Sequence, residues 1–157
     1  MRQVLRLELE EAKVMIEAAR KKAEEIRVLE TICIVDDGGY AIALERMNGS
    51  RVTGVEISMA KAFTASGHKR STHLFNKEGG PAAVGGEAFG IQQMIPGKFA
   101  IFVGGFPIVV NGEVIGGVGV SGGNGEQDTA VGVAALQALQ NYLGNEFEVL
   151  VQADIKK

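Results

Sequence analysis

The residue types able to do chemistry gather at three places in this 157-residue chain. The longest is Gly116-Gly117-Val118-Gly119-Val120-Ser121-Gly122-Gly123-Asn124-Gly125-Glu126-Gln127-Asp128, which reads as a strand, a glycine turn and a helix start. Glycines there let consecutive backbone N–H groups converge on one point, and the helix terminus adds its positive end. Ser121, Gly122, Gly123 and Asp128 are therefore candidates to hold a carboxylate or a phosphate. No Lys-Ser or Lys-Thr closes the run, and the dinucleotide G-x-G-x-x-G spacing is absent, so neither nucleotide loop is expected. The same composition also suits a plain helix start. Asn124 or Glu126 can cap it, and Asp128 in the first turn suits the helix dipole without a ligand.

The second place is Lys61, which interrupts the apolar run Met59–Ala65. Its stem can lie along apolar surface while its ammonium pairs with Asp36, Asp37 or Asp128. Alternatively, that ammonium binds a substrate carboxylate. The third place holds the only two histidines, His68 and His73. They are five apart, off one another's helical face, with no cysteine nearby, which argues against a zinc pair within one chain. Either alone has the chemistry of a haem ligand, because haem iron accepts a single axial histidine. Ser66, Ser71 and Ser121 are available as nucleophiles, but no serine–histidine–carboxylate order emerges. Cys33, the one cysteine, sits in an apolar run and is expected to be a small buried side chain.

The elements that must position these groups are legible from periodicity. Leu9, Ala12, Ile16, Ala19, Ala23 and Ile26 step along one side of a helix predicted over Glu8–Arg27. Val28–Val35 reads as a strand, Asp36-Asp37-Gly38-Gly39 as its turn, and Tyr40–Arg46 as the returning strand. A second helix is predicted over Val52–Ser66, with Val55, Met59, Ala62 and Phe63 toward the core. His68–Lys98 is glycine-rich, with a short helix possible only over Ser71–Phe75; a cavity wall or a subunit contact is expected there. Phe99–Val103, Pro107–Val110 and Glu113–Val120 read as three strands, the last two joined at Asn111-Gly112. A largely apolar helix over Glu126–Leu143 follows, capped by Gly144, and Phe147–Val151 is expected as an edge strand or an arm. The order α-β-β-α-(loop/α)-β-β-β-α, with its hairpins, predicts an α+β antiparallel sheet covered by helices.

Composition bounds the rest. Hydrophobic residues are 46% and charged residues 22%, the balance of a single globular domain spanning 1–157. The 22 glycines have no three-residue period, which excludes collagen. A net charge of −3 argues against a generic nucleic-acid surface. No stretch approaches the roughly 18 apolar residues of a spanning helix, so no membrane partner is expected. Met1–Arg27 is charge-rich where a signal peptide would be apolar, and the expected location is the cytoplasm.

With these pieces in place, the sequence resembles the GlcG/HbpS haem-binding-like family, related to the C-terminal domain of PduO-type cobalamin adenosyltransferases. The resemblance spans roughly residues 5–145. It rests on Ile34-Val35-Asp36-Asp37-Gly38-Gly39, on Arg46, and on Lys61-Ala62-Phe63-Thr64-Ala65. More specific still are Gly104-Gly105-Phe106-Pro107-Ile108, then Gly112 through Gly122, and Glu126-Gln127-Asp128. The resemblance implies a profilin-like sheet and a compact homo-oligomer, hexamer to decamer. It also implies a small-molecule-binding protein whose ligand is haem or a related tetrapyrrole.

Two classes of function follow. The first is a binding module in which Lys61, Ser121, Gly122, Gly123 and Asp128 meet a small anionic ligand or a haem propionate, and His68 or His73 ligates the iron. The second is an enzyme acting on a small carboxylated metabolite, with the glycine turn as anion hole.

Overall fold

A computed structural model describes all residues, Met1–Lys157. Four strands form one antiparallel sheet: β1 (Thr31–Asp36), β2 (Ala41–Arg46), β3 (Gly105–Val110) and β4 (Glu113–Ser121), in the spatial order β2-β1-β4-β3. Helices α1 (Leu9–Glu25) and α4 (Gly125–Leu143) pack together on one face, and α2 (Gly54–His68) covers the other. The short helix α3 (His73–Asn76) follows α2. The architecture is the expected α+β antiparallel sheet flanked by helices.

Alternation along the central strands builds both faces. In β1, Ile32 and Ile34 enter the large core with Met15, Ile16, Leu136 and Leu139, while Cys33 and Val35 face Ala62 of α2. In β4, Val118 and Val120 join the large core, and Gly117 and Gly119 face α2. A Cβ on Gly119 would lie 1.8 Å from the Ser58 carbonyl oxygen, so the missing side chain is what lets α2 sit directly on the sheet. The alternating glycines of this strand are a packing device.

Turn chemistry closes the hairpins. Asn111 and Gly112 take φ of 50° and 81°, which the two-residue turn between β3 and β4 requires. Asp36 accepts the N–H groups of Gly38 and Tyr40 at 2.9 and 3.0 Å and ties the β1–β2 turn.

One expectation is corrected and one open alternative is decided. Phe99–Val103 is not a strand, so two strands rather than three follow the long loop. Side-chain hydroxyls hold this segment: the Ala100 N–H donates to Thr64 Oγ1 at 2.8 Å, and Thr72 Oγ1 donates to the Phe102 carbonyl at 2.5 Å. With those backbone groups bound to hydroxyls, no neighbouring strand is needed. Phe147–Val151 is an arm and not a strand. It makes an isolated bridge between Val149 and Val110 at the outer edge of β3. The chain then runs back across the fold, where the Ser71 N–H donates to the Ile155 carbonyl at 2.8 Å.

Candidate functional site

The glycine turn comes first. Ser121 ends β4 beside Thr31, and Gly122 and Gly123 swing the chain toward α4. Asn124 caps the helix through a reciprocal pair: the Gln127 N–H donates to Asn124 Oδ1 and the Asn124 N–H to Gln127 Oε1, both at 2.9 Å. The Gly123 N–H points inward, donating to Asp128 Oδ1 at 2.9 Å and to Glu30 Oε2 at 3.2 Å. Three backbone donors of the turn and helix start, those of Gly123, Asn124 and Gln127, are thus used by the chain's own side chains.

Lys61 reaches the same place from α2. Its Nζ lies 3.0 Å from Asp128 Oδ2 and donates to the Val120 carbonyl at 2.6 Å, beneath the ring of Phe102. Both side chains of the ion pair are almost fully buried, at 3% and 4% exposure. Of the three aspartates offered as partners by the sequence, Asp128 is the one Lys61 meets. The structure therefore brings together Lys61, Ser121, Gly122, Gly123 and Asp128, in a cluster that faces inward.

Glu30 completes the cluster, and sequence reasoning missed it. It is fully buried, and its carboxyl is pushed up to about 8, first by burial and then by the charge of Asp128. A signal existed in the sequence: a lone glutamate inside the apolar run Val28–Val35 has to be neutral or paired.

The histidines stand outside this cluster, in different surroundings. His68, in the last turn of α2, is exposed. Its ring is held edge-on between Phe75 and Phe99, with centroids 5.2 and 5.3 Å away. Partial burial, and then the charge of Arg70, hold its imidazole below the usual histidine range. At neutral pH it is the neutral base, with a lone pair free to bind a metal. His73 opens α3 and is already engaged, its Nε2 2.6 Å from Asp154 Oδ1. It borders an open groove of about 710 Å³, walled by Val103, Ala130, Val133 and Ala153. Its Nδ1 is buried without a partner. No group of three or more His, Cys, Asp or Glu side chains converges on one metal position.

Comparison with known proteins adds a family to this geometry. The family model described as haem degrading protein HbpS-like matches residues 7–137. A 15.0 kDa protein encoded between dhaT and dhaS in Citrobacter freundii is 39% identical over 134 residues, covering 85% of this chain and 92% of that protein. The crystal structure of the Klebsiella pneumoniae protein ORFY superposes with a TM-score of 0.84 at 36% identity, over 88% of this chain and 94% of that one. The PduOC:haem complex superposes with a TM-score of 0.82 at 28% identity, over 94% and 99%. The family match spans most of the chain, and the superpositions and sequence matches agree with it: the chain belongs to the HbpS-like family, the group that includes GlcG and the C-terminal domain of PduO.

Proposed function

We propose that this protein binds haem or a related tetrapyrrole, with His68 as the single axial ligand. The observation that carries the proposal is the state of His68: exposed, neutral, fixed between two phenyl rings and clear of the hydrogen bond to Asp154 that occupies His73. A bound haem supplies an iron centre that accepts one imidazole nitrogen. The chain's part is to hold that nitrogen outward. The edge-on rings of Phe75 and Phe99 restrict the imidazole plane and offer apolar contact beside it. Arg70, whose guanidinium lies over the Phe75 ring at 5.1 Å, is the cation placed to meet a propionate. The haem-bound structure of the PduOC relative supports the ligand class.

His73 is the competing candidate. Coordination through its Nε2 has to displace Asp154, and its Nδ1 is enclosed. Titration with ferric haem, followed by absorption, separates the two. His68→Ala is expected to abolish the bound spectrum and His73→Ala to retain it. A wild-type protein that never develops such a spectrum ends the proposal, and a spectrum retained in His68→Ala moves the ligand elsewhere.

Self-association beyond a dimer belongs to the same proposal. The long segment between α3 and β3 exposes Val84, Phe89 and Met94 at 93%, 67% and 78%. The accessible surface of 8439 Å² also exceeds the roughly 7,600 Å² expected of a monomer of this mass. Sedimentation at micromolar concentration is expected to show the oligomer, and a 16.6 kDa species would exclude it.

A further inference from the structure

Three ionisable side chains meet inside the protein: Glu30 just ahead of β1, Lys61 on α2 and Asp128 on α4, at 0%, 2% and 3% exposure. One cation faces two carboxyl groups. Asp128 has both oxygens engaged, Oδ2 by Lys61 and Oδ1 by the Gly123 N–H. Glu30 has only Oε2 engaged, by that same N–H, and its Oε1 is buried without a partner. Two ionised carboxylates here would leave one uncompensated charge away from water and one orphaned oxygen. A single proton resolves both, because it neutralises one carboxyl and makes it a donor toward the other.

We propose that Glu30 carries this proton in the native protein and shares it with Asp128, making the Gly122–Gly123 turn a proton-linked latch between β1 and α4. The charged groups facing Glu30 are Asp128 from α4 and Lys61 from α2. Arg51, from the segment ahead of α2, stands one step further out and donates to the Gly122 carbonyl at 3.3 Å. Behind β2, the Met47 sulfur accepts the Glu30 N–H. The turn presses directly on the acid: a Cβ on Gly122 would lie 2.6 Å from Glu30 Oε2, and one on Gly123 2.9 Å from Oε1. When the proton leaves, two carboxylates repel beneath the turn whose Gly123 N–H is bound to both of them. Gly125 and Glu126 follow it immediately and line the groove beside His73. The latch is independent of whether the protein takes a tetrapyrrole.

The sign of the pH effect is fixed by the direction of the shift. The Glu30 carboxyl is raised from 4.5 to about 8, so the native state holds its proton more tightly than the unfolded chain does. The resulting stabilisation is complete below about 4.5, declines as pH rises through this window, and is gone above about 8. Infrared spectroscopy of the carboxyl C=O stretch reads the proton directly in an assembly of any size. A protonated-carboxyl band is expected in the wild type at neutral pH, vanishing with a midpoint near 8, and absent from Glu30→Gln. The urea midpoint is expected to fall from about pH 5 to 8 in the wild type, with one fewer linked proton in Glu30→Gln. A wild type without the band at neutral pH overturns the proposal, as does a band that survives in Glu30→Gln. If Glu30→Gln fails to fold, the wild-type band and its midpoint decide alone.

Discussion

Replacing Lys61 with methionine separates an internal counter-ion from a ligand-binding cation. The substitution keeps most of the apolar stem and deletes only the charge. What stays behind is Asp128 at 3% exposure, with the Glu30 carboxyl beside it and one N–H from Gly123 as compensation. Removing one partner of a buried ion pair costs about 3–5 kcal/mol, because the other charge stays buried and unpaired. Taking about 4 kcal/mol and a urea slope of about 2 kcal/mol/M, the midpoint should fall by about 2 M. The corresponding loss in Tm is roughly 8–16 °C for a chain of this size. Urea unfolding followed by far-ultraviolet circular dichroism measures it, at one fixed protein concentration, because association adds a concentration-dependent contribution. The double variant Lys61→Met/Asp128→Leu should recover at least half of the loss, since replacing both charges with apolar groups is often neutral. A single variant within about 1 kcal/mol of wild type refutes the buried counter-ion. So does a double variant less stable than either single one. Haem affinity of the folded Lys61→Met protein should be unchanged, and a tenfold loss would put Lys61 in contact with the ligand.

Two further outcomes test the packing. Gly119→Ala places a methyl 1.8 Å from the Ser58 carbonyl and forces α2 off the sheet, so a loss above about 3 kcal/mol in the same unfolding assay is expected. Gly67→Ala, within α2 but with open space around it, should change stability by no more than about 0.5 kcal/mol, and equal losses at the two sites would refute the close-approach argument. Cys33 is fully buried and its thiol is pushed up to about 12, so an aromatic disulfide reagent should leave it untouched in native protein and label it fully in denaturant. Native labelling at the rate of a free thiol would contradict the burial of that face of β1.

The sequence by itself determined what short-range physics determines. The middle of the apolar stripe of α1 is buried through Ala12, Ile16, Ala19 and Ala23, Ile26 is partly buried, and Leu9 at its start stays exposed. The Asn111-Gly112 and Asp36–Gly39 turns are where their φ requirements put them. Glycine alternation in β4 was visible as composition, but its purpose as a seat for α2 was not, because the partner backbone at Ser58 is remote in sequence. Phe99–Val103 has the composition of a strand and lacks a neighbour to pair with; hydroxyls from α2 and from Thr72 took its backbone groups instead. Lys61 was legible as a buried cation with an aspartate partner, yet the choice of Asp128 spans 67 residues and is a property of the fold. Glu30 shows the limit most clearly. Its burial was signalled by the apolar run around it, but its crowding by Asp128 and its proton depend on three elements meeting, and no local pattern encodes that meeting. The two histidines differ for the same reason: Phe75 of α3 and Phe99 from beyond the long loop flank the ring of one, and the C-terminal arm supplies Asp154 to the other. Side-chain chemistry is written residue by residue, whereas the field and the packing around it are set by contacts that only tertiary structure makes.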